Sequence, residues 1–225
     1  MLNDIISLFY PSNCACCNSI LRKGEDMICV LCIAELPRTN FIKQIDNPVA
    51  KLFWGRVDLT YGFSTFHFGK QGRMQDLIHQ LKYKGKTEIG IFLGKEIGKE
   101  INENIPPHTF SQIIPLPLHP KKQYQRGYNQ SDFLAQGISE ILEIPMNEKL
   151  VIRQIETTSQ TRKSKFERWE NVENIFKLID DSIENQHILL VDDVVTTGST
   201  LESCAIEIKK LKNTKVSVVV AASGF

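Results

Sequence analysis

The segment that decides the fold is residues 191–200, V-D-D-V-V-T-T-G-S-T, which directly follows the apolar run I-L-L at 188–190. The apolar run predicts a buried strand, and the small polar residues predict a turn into a helix. Asp192 and Asp193 therefore stand at the carboxyl end of a strand, where open α/β sheets bind their ligands.

The turn of this segment offers groups that suit a phosphorylated sugar. Hydroxyls and backbone amides come from five consecutive residues: Thr196, Thr197, Gly198, Ser199 and Thr200. The start of a helix after such a turn directs N–H groups at an anion. Asp192 and Asp193 can accept hydrogen bonds from vicinal ribose hydroxyls or ligate a hard cation such as Mg²⁺. An ordinary βα turn would account for a capping Ser199 or Thr200, but not for two adjacent carboxylates.

A second pattern lies near the N-terminus, where five of the six cysteines fall between residues 14 and 32. They form two C-x-x-C pairs, which predict a structural zinc site with the ligands Cys14, Cys17, Cys29 and Cys32. Cys16 is surplus to this set. The zinc ribbon is interpreted first as a staple for a segment too short to have its own core.

The rest of the chain alternates helical stripes with apolar strands, which predicts an α/β fold with a mostly parallel sheet flanked by helices. One helical stripe is formed by Met74, Leu77, Ile78 and Leu81. Another helix is expected to be capped by Thr87, and a third is expected to start at Ser131. We expect a zinc-ribbon module at 1–48 and a larger domain at 49–225. A net charge of +1 gives no global field for nucleic acid. The absence of a long apolar run predicts no membrane insertion, and the acidic, non-basic start predicts a cytoplasmic protein.

Two basic segments could hold an anion. Residues 115–130 read as a loop between a strand and a helix, and Arg126 in it can clasp a phosphate. His119 in this segment is interpreted as a hydrogen-bonded structural residue. Residues 157–171 have no apolar period and carry Lys163 and Lys165, which predicts a mobile loop that closes over a charged ligand. A solvated basic surface is the alternative for both segments.

Residues 191–200 resemble the loop of type I phosphoribosyltransferases that binds phosphoribosyl pyrophosphate (PRPP). The whole chain resembles the ComF family, on the four cysteines, P-L-P-L-H at 115–119, R-G-Y-N-Q at 126–130 and Q-x-R-K-x-x-x-x-R-x-x-N-V at 160–172. L-K-Y-K-G-K at 81–86 also matches a motif that recurs in the family. The resemblance implies the type I phosphoribosyltransferase fold and a link to natural competence. Purine-type enzymes carry Asp where this chain has Thr196, which argues against simple purine salvage.

The resemblance also implies how the site would work. Asp192 and Asp193 would hold the ribose, and residues 196–200 would hold the 5′-phosphate. Arg126, Lys163 and Lys165 would cover the pyrophosphate together with Mg²⁺. No catalytic residue or acceptor is indicated. Two other functions stay open: a non-catalytic accessory protein that binds single-stranded DNA or a transformation helicase, and a regulator that senses PRPP.

Overall fold

The computed structural model describes residues 12–69, 72–154 and 175–225 of the 225-residue chain. The predicted polar loop at 157–171, with Lys163 and Lys165, lies outside the described residues. Among the helices that are described, none is long and apolar enough to cross a bilayer.

The described strands form one parallel sheet and one separate ribbon. In chain order they are β1 (Gly62–His67), β2 (Gln112–Pro115), β3 (Val151–Arg153), β4 (Phe176–Leu178), β5 (His187–Val195) and β6 (Lys215–Ser223). The four-stranded sheet has the order β1-β6-β5-β2 with every pair parallel, while β3 and β4 pair antiparallel. The predicted α/β fold with a parallel sheet flanked by helices is confirmed.

Seven α-helices are described: α1 (Val30–Ala34), α2 (Pro48–Lys51), α3 (Arg73–Tyr83), α4 (Glu88–Asn104), α5 (Pro120–Arg126), α6 (Gln130–Leu142) and α7 (Ser199–Ile208), together with a 3₁₀ turn at Phe41–Lys43. Helix α6 packs on β5 and β2, and α7 packs on β5, β6 and β4. The apolar run at 188–191 is fully buried between them. The strand that carries the two aspartates is therefore the centre of the core.

Helices α4 and α6 cross very closely, and glycines make this possible. A Cβ at Gly94 would lie 2.2 Å from the carbonyl oxygen of Leu134, and one at Gly137 would lie 2.2 Å from that of Ile91. Any larger residue would push the helices apart. The contact fixes α6, whose first turn reaches the end of β5.

The N-terminal module packs against the edge of the main sheet. The backbone amide of Thr39 donates to Thr65 of β1, and the side chain of Asn47 donates to the carbonyl of Gly62 while capping α2. Arg38 forms an ion pair with the buried Glu96 of α4. The predicted boundary between residues 48 and 49 falls within α2 (Pro48–Lys51), and the two-domain division stays a prediction.

Three local expectations were wrong. Residues 120–126 are a helix and not a loop, because Pro120 stands at the first helical position and the His119 ring accepts from the backbone amide of Lys121. Thr87 precedes α4 but makes no side-chain cap, since its backbone is already helical. Ser131 does not start α6; the side chain of Asn129 caps the helix instead.

Candidate functional site

Strand β5 carries Asp192 and Asp193 beyond the last residue of its neighbour β2, which ends level with Val191. Both residues therefore lie past the edge of β2, while Asp192 still pairs with Val220 of β6. Consecutive residues of a strand project to opposite faces. The two carboxylates accordingly have different partners.

Asp192 is held by the start of helix α6. Its Oδ1 accepts from the Ser131 hydroxyl at 2.9 Å and from the backbone amide of Asp193 at 2.8 Å. Burial, and after it the charge of Asp193, raise the pKa of Asp192 to about 7. Near neutral pH this carboxyl group is thus poised between its neutral and charged forms.

Asp193 is more deeply buried and is paired with a cation. Its Oδ1 lies 2.9 Å from the Nζ of Lys82, at the end of α3, and its side chain is 5% exposed. The second oxygen, Oδ2, is buried and has no hydrogen-bond partner among the described residues. A buried oxygen with a free lone pair is an acceptor that a ligand hydroxyl or a cation can satisfy.

The loop after β5 leaves the first amides of α7 free of a side-chain cap. Gly198 occupies the N-cap position with φ of 75°, in the left-handed region that suits glycine. Thr196, Thr197 and Ser199 are exposed, Thr200 is partly buried, and the hydroxyls of Thr197 and Ser199 lie 3.0 Å apart. A Cβ on Gly198 would lie 3.3 Å from the Phe53 ring, so the loop rests on the segment after α2. Uncapped amides at a helix start are suited to an anion.

Arg126 reaches the same region through residues of its own motif. Its guanidinium donates to Gln130, the residue before Ser131, and lies over the Tyr83 ring at 5.6 Å. Tyr128 donates its hydroxyl to the carbonyl of Leu81 in α3 and packs edge-on against Phe133. Tyr128 is therefore a packing residue and not a free stacking platform, whereas the Tyr124 side chain is 91% exposed.

The four predicted zinc ligands come together. The sulfur atoms of Cys14, Cys17, Cys29 and Cys32 all lie within 4.8 Å of one another. Backbone amides of Cys16 and Cys29 donate to the Cys14 sulfur at 3.4 and 3.3 Å, which favours its thiolate form. Four clustered thiolates are a donor set that Zn²⁺ prefers in structural sites. Cys16 does not belong to this group.

Helix α3 contacts both the cysteine cluster and the aspartates. Its Gln80 side chain donates to the carbonyl of Ala15, between two of the cysteines, at 2.8 Å. Arg73 at its start pairs with Glu35, just after α1. Lys82 at its end pairs with Asp193. One helix therefore ties the N-terminal module to the end of β5.

Sequence reasoning left Lys82 and Ser131 out of the site. The motif L-K-Y-K-G-K did point to Lys82, but its 111-residue separation from Asp193 gave no sign of contact. Ser131 was interpreted as a helix start, and its bond to Asp192 depends on how far α6 reaches. Both contacts are set by packing.

Two carboxylates and an uncapped helix start thus lie together at the carboxyl end of a parallel strand, an arrangement that suits a phosphorylated sugar. A family model described as the phosphoribosyl transferase domain matches residues 131–224, from the start of α6 to the end of β6. The loop at 191–200, from which such a domain was predicted, lies within the matched residues.

The curated relatives of this chain have names that refer to competence and DNA utilization. The chain is 40% identical over 147 residues to competence protein F of Haemophilus influenzae, which covers 63% of this chain and 64% of that protein. It is 34% identical over 135 residues to the DNA utilization protein YhgH of Shigella flexneri, 59% of each. It is 30% identical over 132 residues to competence protein ComFC of Bacillus subtilis, 59% of this chain and 52% of that protein. The alignments span about three fifths of the first relatives' length, and the resemblance to the ComF family is confirmed.

Proposed function

We propose that this protein binds PRPP through Asp192, Asp193 and the loop at 196–200, and that it acts in competence or DNA uptake by transferring phosphoribose to an acceptor not yet identified. The observation that carries the proposal is the pair of carboxylates at the end of β5, followed at once by an uncapped helix start. The names of the relatives support the link to competence and DNA use.

In this proposal each group has a distinct task. Asp192 and Asp193 accept ribose hydroxyls, and the amides and hydroxyls of residues 196–200 hold the 5′-phosphate. Arg126, which lies beside Gln130 and Tyr83, is assigned to the pyrophosphate, and Lys163 and Lys165 are assigned to it from the sequence alone. Departure of pyrophosphate leaves positive charge on the sugar, so catalysis consists of positioning and of stabilising the charge of the leaving group.

The proposal also includes metals. The carboxylate oxygens at the end of β5 are donors that suit Mg²⁺. When bound with PRPP, Mg²⁺ would neutralise charge on the leaving pyrophosphate. Zn²⁺ at Cys14, Cys17, Cys29 and Cys32 would be structural.

Calorimetry with PRPP in the presence of Mg²⁺ tests the binding. A pyrophosphate-release assay with candidate acceptors and single-stranded DNA then tests turnover. Saturable PRPP binding with release of pyrophosphate supports a transferase. PRPP binding without release of pyrophosphate in the presence of any acceptor supports a PRPP sensor. No detectable PRPP binding would refute the proposal.

A second function, binding of single-stranded DNA, is favoured by one surface. Helix α5 presents Tyr124, Lys121 and Lys122 to solvent, and Tyr83, 69% exposed, lies beside Arg126. Exposed tyrosines among cations are what sequence-independent binding of single strands requires. Fluorescence titration with a labelled single strand of DNA tests this function. A helicase partner is tested by measuring whether the protein binds a purified transformation helicase.

A further inference from the structure

The ion pair between Lys82 and Asp193 has no assigned role in the proposed chemistry. The Lys82 side chain is 22% exposed and that of Asp193 is 5% exposed, so both charges are largely removed from solvent. Breaking such a pair leaves an uncompensated buried charge. The pair therefore constrains both the position and the charge of Asp193.

Lys82 is itself held firmly in place. It lies in the last turn of α3, and the Tyr128 hydroxyl donates to the carbonyl of the preceding residue, Leu81. Two residues earlier, Gln80 is bonded to Ala15 of the N-terminal module. The lysine thus approaches Asp193 from a helix that is fixed on two sides.

The two oxygens of the Asp193 carboxylate have different surroundings. Oδ1 is taken by the lysine, and Oδ2 is buried with no partner among the residues that the structure describes. An ionised carboxylate whose one oxygen is paired still has the lone pairs of its other oxygen with which to accept. A ribose hydroxyl at Oδ2 would satisfy a buried acceptor that is otherwise costly to leave unpaired.

We propose that Lys82 is a positioning residue of the sugar site: it holds Asp193 as a charged acceptor whose free oxygen selects a ribose hydroxyl. This inference rests on the proposed function, since it assumes that a phosphorylated ribose binds at the end of β5. Lys82 acts through Asp193, and its loss removes the preference for the hydroxylated sugar more than it removes the grip on the phosphate.

The experiment compares ribose 5-phosphate with 2-deoxyribose 5-phosphate by calorimetry. Both sugars carry the phosphate that the loop at 196–200 would bind. The ratio of their affinities therefore isolates the contribution of the 2-hydroxyl, which only ribose 5-phosphate has. We expect the wild-type protein to prefer ribose 5-phosphate by at least about tenfold, the ratio that a 1.4 kcal/mol difference represents. Lys82→Met should reduce the preference to less than about threefold. Lys82→Arg keeps the positive charge and should therefore keep most of the wild-type preference.

Lys84→Met is the matched control, because Lys84 is exposed, lies two residues away and ends the same helix. It should keep the wild-type preference. The double variant Lys82→Met with Asp193→Asn removes both charges and so avoids the buried unpaired carboxylate if Lys82→Met alone does not fold. Its sugar preference should equal that of Asp193→Asn, because Lys82 has no effect except through Asp193.

The outcomes separate this inference from the proposed function. Wild-type protein that binds neither sugar phosphate nor PRPP would overturn the proposed function and this inference with it. If the wild-type protein prefers ribose 5-phosphate and a folded Lys82→Met variant shows the same preference, only the role of Lys82 is overturned. A double variant that differs from Asp193→Asn in sugar preference would also overturn it.

Discussion

The cysteine cluster and the end of β5 are assembled in opposite ways. The cluster takes its four sulfur atoms from residues 14–32, so its ligands are local in sequence. At the end of β5, Lys82 and Ser131 come from two distant helices to contact Asp193 and Asp192. A local site can be recognised by spacing, whereas a site built from distant segments depends on the packing of the whole fold. Helix α3 touches both and links them.

The largest expected effect of any change falls on the cysteine cluster. We expect the wild-type protein to contain one Zn²⁺ and the Cys32→Ser variant, which lacks one thiolate of four, to contain none. The N-terminal module of the variant should lose its order, because structural zinc supplies folding energy directly. Elemental analysis and proteolysis of the freshly purified protein measure both. Cys16→Ser is the control and should retain the metal. A Cys32→Ser protein with a full equivalent of zinc would contradict the ligand set.

A smaller effect is expected from the turn after β5. Gly198→Ala forces a side chain into the left-handed region and against the Phe53 ring, so we expect a loss of about 1–2 kcal/mol in the free energy of unfolding and weaker PRPP binding. Gly55→Ala is the control, because Gly55 has a similar φ of 73° and nothing within 4 Å of an added Cβ. It should lose stability but keep its PRPP affinity. Equal PRPP affinity in both variants would show that the turn does not bind the phosphate.

The pH dependence tests the electrostatics of the aspartates. Since the pKa of Asp192 is raised to about 7 from its ordinary value of 3.8, its ionisation opposes folding. Wild-type stability should therefore fall relative to Asp192→Asn as the pH rises from about 4 through 7. PRPP affinity should rise as the pH passes through about 7, because Asp192 becomes charged there. Melting curves and calorimetry of both proteins at several pH values decide it; parallel pH profiles would contradict the raised pKa.

The last expected effect concerns the exposed tyrosines and the second candidate function. If single strands stack on them, Tyr83→Ala with Tyr124→Ala should weaken binding by about 1–3 kcal/mol per base lost. Binding by the wild-type protein should also fall steeply with salt. Trp54→Ala removes an exposed ring elsewhere and serves as the control. Salt-insensitive preference for one duplex sequence would exclude this mode of binding.

Much of the fold and part of the site could be predicted from the sequence. The apolar run at 188–190 identified β5 because a strand buried on both faces must be apolar throughout. The stripe Met74, Leu77, Ile78 and Leu81 identified α3 by its helical period, and all four are buried. Helix α5 was missed because it has no buried side chain and hence no apolar stripe. The partners of Asp192 and Asp193 were missed because nothing local encodes them.

The central claim is that the two carboxylates at the end of β5 bind the ribose of PRPP and are not structural. Calorimetry with PRPP and Mg²⁺ on Asp192→Asn with Asp193→Asn tests it most directly, with Asp180→Asn and Asp181→Asn as the control, because these are also adjacent aspartates but are exposed. We predict that the first pair still folds and melts cooperatively, at a lower temperature because Lys82 loses its charged partner. Its PRPP binding should be at least about tenfold weaker, from lost bonds worth about 1.5–3 kcal/mol each, and the control should bind PRPP as the wild-type protein does. Unchanged PRPP affinity in a folded first pair would contradict the account.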